Sequence, residues 1–138
     1  MEKKLNNLLL ITTTLVIVLF SAGVYYDFLA LSWYDEILHF LCGAWGALII
    51  FYLYRKYGSK LPFYSKLKEK PAVFMVLAML IIGLGWELFE LILVQSLKSV
   101  YDHSPNLQPN YFDTFTDLIM DMAGAYLVVF KYRLKLLD

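Results

Sequence analysis

Apolar residues along this chain gather into four long blocks, at roughly 8–31, 36–55, 72–96 and 112–132. None of the blocks alternates strictly, and none reads as a single amphipathic stripe. Each is near the ~20 residues that carry a helix across a ~30 Å hydrocarbon core. Backbone in lipid must satisfy its hydrogen bonds within its own segment, so the pattern predicts helices rather than strands. The expected fold class is all-α: a polytopic membrane protein, a four-transmembrane-helix bundle, with 1–138 as a single membrane domain. Pro71 suits a first helical turn. Pro105, Asn106, Pro109 and Asn110 mark the turn-rich link before the last span.

Composition agrees. The 138 residues are 60% hydrophobic, which leaves too little polar surface for a soluble domain of this length. Net charge is zero, but the basic residues are unevenly placed. Lys3 and Lys4 precede the first block. Arg55, Lys56, Lys60, Lys66, Lys68 and Lys70 fill the second loop, and Lys131, Arg133 and Lys135 follow the last block. Only Lys98 lies on the other side. By the positive-inside rule both termini and the 56–71 loop face the cytoplasm. The expected location is a bacterial or archaeal cytoplasmic membrane. The basic residues are absorbed by topology and by the anionic inner leaflet, so membrane lipids are expected partners and nucleic acid is not.

Two features of the first half have ordinary explanations. Lys3, Lys4 and Ser21-Ala22-Gly23 imitate a signal peptide, but the apolar run continues to Leu31, so an uncleaved helix is expected. The single cysteine, Cys42, excludes an internal disulfide. It lies among Gly43, Ala44, Gly46 and Ala47, a small-residue face suited to close helix packing.

The acids change the picture. Asp35, Glu87, Glu90, Asp117 and Asp121, with His39, fall inside the apolar blocks or at their ends. A charged group costs about 2.5–3.5 kcal/mol at the centre of a membrane helix, so each needs a partner or a function. Counted at 1.5 Å per residue from the outer surface, Glu90 lies about 3 Å deep, His39 about 5 Å, Glu87 about 8 Å, Asp117 about 9 Å and Asp121 about 15 Å. All fall in the outer half. Asp35 and His39 are four residues apart, Glu87 and Glu90 three apart, and Asp113, Asp117 and Asp121 recur every four, so each set shares a helix face. So many carboxylates in one low-dielectric pocket must hold protons or a cation. No lysine or arginine lies at that depth within the blocks. Oxygen ligands plus one imidazole suit Mg²⁺, Mn²⁺, Fe²⁺ or Zn²⁺. The candidate metal set is His39, Glu87, Glu90, Asp117 and Asp121, with Glu87 and Asp121 as candidate catalytic carboxylates. Asp35 and Asp113 are secondary candidates, expected first as helix caps; Ser32 is a competing cap for the second helix. The Glu-x-x-His spacing of di-iron bundles is missing, since Leu93 follows Glu90 by three.

Three motifs together resemble a known family. Asp35-Glu-Ile-Leu-His39-Phe-Leu-Cys-Gly43, Trp86-Glu87-Leu88-Phe89-Glu90 and Asp117-Leu-Ile-Met-Asp121-Met122 with Gly124-Ala125 are similar in order and spacing to the motifs of the YjdF-like inner-membrane proteins. The match covers about 35–126. It implies a small polytopic membrane protein and supplies no reaction. The VanZ-like membrane proteins share a looser version, with an asparagine before the final glycine where this chain reads Asp121-Met122-Ala123-Gly124. That more distant resemblance, to a family linked with resistance to a lipophilic glycopeptide, hints at envelope chemistry.

Three functions follow. The first is metal-assisted or acid–base chemistry on an envelope or lipid substrate, because no serine or cysteine nucleophile with a paired base is present. The second is a proton- or cation-coupled small transporter. The inner half offers no polar path, so a pore would need a homo-oligomer. The third is a structural protein whose acids only join helices.

Overall fold

A computed structural model of the chain describes residues 2–60, 70–100 and 111–132. These form four α-helices: α1 (Glu2–Tyr26), α2 (Ser32–Tyr57), α3 (Pro71–Val100) and α4 (Tyr111–Tyr132). Short 3₁₀ turns follow α1 and α2, at Phe28–Ala30 and Gly58–Lys60. Lys66, Lys68, Arg133 and Lys135, which carry part of the charge bias, and the 105–110 turn lie outside the described residues, as does the side chain of Lys98.

The first block ends earlier than its apolar residues suggest. Asp27 adopts the left-handed conformation, φ 58° and ψ 27°, which short polar side chains tolerate better than most. This stops α1 at Tyr26 rather than Leu31. Leu31 then turns extended and starts α2, its carbonyl accepting from the amides of Tyr34 (2.9 Å) and Asp35 (3.2 Å). Neither Ser32 nor Asp35 caps α2, because no side chain bonds its first amides. Asp113 does not cap α4 either. The helix begins two residues earlier, and Asp113 lies within its first turn.

The tightest contact is between α2 and α4. A Cβ on Gly43 would run into the carbonyl of Asp121, and a Cβ on Gly124 would run into the carbonyl of Phe40 and come within 2.8 Å of the Ala44 nitrogen. The two glycines therefore let the backbones touch, as small residues do between helices in lipid. From this crossing α4 buries one stripe: Asp117, Asp121, Gly124, Ala125, Val128 and Val129. α3 packs against α4 and α2.

Apolar and polar interiors occupy opposite ends. Leu5, Leu48, Phe51, Met75, Met79, Ala125 and Val129 form the core. They come from the start of α1, the end of α2, the start of α3 and the end of α4, as alternating up-and-down helices require. The opposite end holds the acids. α1 lies outside, on α2. The Trp45 indole donates to Thr13 Oγ1 (2.8 Å), and the Tyr34 hydroxyl donates to the Leu19 carbonyl (2.6 Å). Thr12 returns its hydroxyl to the carbonyls of Leu8 and Leu9. Tyr25, Tyr26, Phe28, Trp33 and Tyr34 stack and edge against one another where α1 meets α2.

The outer surface is apolar over most of its extent. Ile11, Ile17, Val18, Val24, Ile81, Ile82 and Leu88 are all exposed, far more than a protein in water presents. α1, α2 and α3 each contain a stretch long and apolar enough to cross a membrane. α4 is shorter, at 22 residues or about 33 Å, and Asp113, Asp117, Asp121 and Lys131 reduce its apolarity.

Candidate functional site

The α2–α4 crossing creates the site. Asp35 and His39, one turn apart, project from the first half of α2. Asp117 and Asp121 project from the first half of α4 and enter the same space because Gly43 and Gly124 remove the bulk between the helices. His39, Asp117 and Asp121 retain only 6%, 3% and 4% of their surface exposure. The Asp35 side chain keeps 23%, so it marks the opening.

The imidazole is held between two carboxylates. His39 Nε2 lies 3.9 Å from Asp35 Oδ1, and His39 Nδ1 lies 3.5 Å from Asp121 Oδ2. Asp35, His39 and Asp117 each offer one ligand atom within 4.8 Å of the others. Asp117 Oδ1 and Glu87 Oε1 are buried with no hydrogen-bond partner among the described residues. No lysine or arginine pairs with these acids among the described residues; the ion pairs present run through His39. Leaving a buried acceptor unmet costs about 1–3 kcal/mol, and more for a charged group. The site thus presents unmet acceptor oxygens to whatever enters it.

The remaining candidates divide. Glu87, from α3, buries Oε1 without a hydrogen-bond partner among the described residues but is not within the three-ligand group. Glu90 accepts from the Trp86 indole at 2.9 Å, in an exposed pair. Asp113, in the first turn of α4, is half-buried and is not within the three-ligand group. Asp35, expected first as a cap, is instead central. The signal was its four-residue spacing from His39, which competed with a helix-start reading and outweighs it once Leu31 starts the helix.

An all-helical, lipid-facing bundle with a buried histidine–aspartate cluster at one end defines a class of integral membrane protein. The chain belongs to the family of predicted membrane proteins DUF2238, whose profile matches residues 2–135. No curated protein and no solved structure matches the chain.

Proposed function

We propose that this protein binds a divalent metal ion at the α2–α4 crossing and uses it, beside Glu87, for chemistry on an envelope or lipid substrate at the outer membrane face. The supporting observation is the Asp35–His39–Asp117 group, with its ligand atoms within 4.8 Å and Asp117 Oδ1 buried without a partner. One imidazole and two carboxylates suit Zn²⁺, Mn²⁺ or Fe²⁺, and leave Mg²⁺ able to bind through water. Bonds of about 2.0–2.1 Å draw tetrahedral ligand atoms to about 3.3 Å apart, a contraction within reach of side-chain torsions. A metal there would acidify a bound water or polarise a headgroup oxygen. Glu87 would then be the carboxylate placed to exchange a proton, with Glu90 and Asp113 at the rim.

The full topology belongs to the same proposal: α4 as a fourth span, with both termini cytoplasmic. α4's length, its packing on α2 and the apolar core at the opposite end from the acids support it. Within the family, the three ordered motifs support a YjdF-like affinity.

Elemental analysis of protein purified in detergent under metal-replete conditions tests the proposal. About one divalent ion per chain is expected, lost in His39→Ala and in Asp117→Asn and retained in Glu36→Gln. Wild-type protein free of stoichiometric metal would falsify it.

A further inference from the structure

The geometry points to a positioning role for Asp121: it holds a proton on His39 Nδ1, so that Nε2 is the nitrogen offered to Asp35 and Asp117, and Gly83 keeps the space in which that carboxylate stands. The inference builds on the metal site proposed above but has a readout independent of it.

Three observations carry it. The two ring nitrogens face different partners: Nε2 lies 3.9 Å from Oδ1 of Asp35, a member of the three-ligand group, and Nδ1 lies 3.5 Å from Asp121 Oδ2. A carboxylate without a proton can only accept, so the Asp121 contact favours an N–H at Nδ1. Second, the Asp121 backbone is pinned, since its carbonyl sits where a Gly43 Cβ would be. Only side-chain torsions remain free to place its oxygens. Third, Oδ2, the same oxygen that faces His39, lies 2.7 Å from where a Cβ on Gly83 would stand, and Leu118 Cδ2 lies 3.0 Å from that point. Any larger residue at 83 must push this oxygen away. Gly43 on α2 thus fixes the Asp121 backbone, and Gly83 on α3 leaves the room its carboxylate occupies. Metal-binding histidines commonly donate their second N–H to a carboxylate, which sets tautomer and ring orientation.

His39 and His103 are the only histidines, so a His103→Gln variant leaves one imidazole to observe. Ring-¹⁵N-labelled protein in micelles should show Nδ1 protonated both without metal and with Zn²⁺, and Nε2 as the nitrogen whose shift moves on Zn²⁺ addition. An unprotonated Nδ1, or Zn²⁺ on Nδ1, overturns the inference. Gly83→Ala and Asp121→Ala should lose the hydrogen-bonded Nδ1 proton signal and weaken Zn²⁺ binding by about 10–100-fold. Asp121→Asn, which keeps an acceptor oxygen, should retain part of both. Gly85→Ala, with open space around its Cβ, should change neither. A Gly83→Ala protein as competent as Gly85→Ala refutes the glycine's part. Alanine is the better helix former, so a loss at 83 is not a backbone effect; should that variant fail to fold, the Asp121 pair decides. If Zn²⁺ does not bind wild type, the metal site fails, while the metal-free spectrum still tests the Nδ1 proton.

Discussion

Gly43→Ala is the substitution that most sharply tests the α2–α4 crossing. The new methyl would collide with the Asp121 carbonyl, and the reciprocal point at Gly124 is already as close as 2.8 Å to a backbone nitrogen. Ordinary contacts to a Cβ begin near 3.4 Å. Both obstacles are backbone, so no side chain can swing aside and the helices must part by about 1 Å. A gap of 0.5–1 Å forfeits a quarter to a half of the dispersion energy at a contact. Overpacking of this kind costs about 1–3 kcal/mol. The same displacement carries Asp121 away from His39 and takes a 3.5 Å contact beyond the reach of an N–H···O interaction. The variant should therefore lose stability and metal affinity together. Equilibrium unfolding in mixed micelles, followed by circular dichroism, measures the first, and Zn²⁺ titration measures the second. Gly85→Ala serves as the control and should match wild type or exceed it by up to about 1 kcal/mol, since alanine favours the helix and meets nothing there. A Gly43→Ala protein with wild-type stability and wild-type binding would refute the close crossing.

Other consequences are as direct. Trp45→Phe and Thr13→Val should each cost about 0.6–1.7 kcal/mol, and the double variant should cost no more than either, since both remove one bond between α1 and α2; full additivity in the unfolding assay would contradict that bond. Asp27→Gly should preserve or raise stability, whereas Asp27→Val should lower it by about 1–2 kcal/mol, because a branched side chain resists the left-handed conformation; equal unfolding midpoints would contradict the bend. In a Cys42→Ala background, a cysteine at Trp33 should react with an impermeant maleimide in intact cells and one at Tyr57 only after permeabilisation. The reverse pattern would invert the topology.

Helix number and order were legible because lipid leaves the chain few alternatives. Four apolar blocks became four helices, and the order of their ends followed. Boundaries were less legible. Asp27 lies in an apolar neighbourhood that hides a left-handed residue, and Leu31 starts α2 without any side-chain signal. Among the acids, their gathering at one end of the bundle was readable from position, but partnership was not. Whether Glu87 or Asp35 lies nearer His39 depends on how three helices rotate about their axes. That rotation is set by Gly43 and Gly124. The small residues around Cys42 suggested close packing, yet nothing in the sequence paired them with Gly124 on α4. Nor did anything in the sequence pair Trp45 with Thr13, to which its indole donates across α1 and α2.

The central claim is that His39 and neighbouring carboxylates bind one metal ion. Pulsed EPR of Mn²⁺-loaded protein tests it most directly. A single histidine ¹⁴N coupling is expected, absent in His39→Gln and unchanged in His103→Gln. Bound Mn²⁺ without nitrogen coupling, or a coupling that survives loss of His39, would contradict the claim.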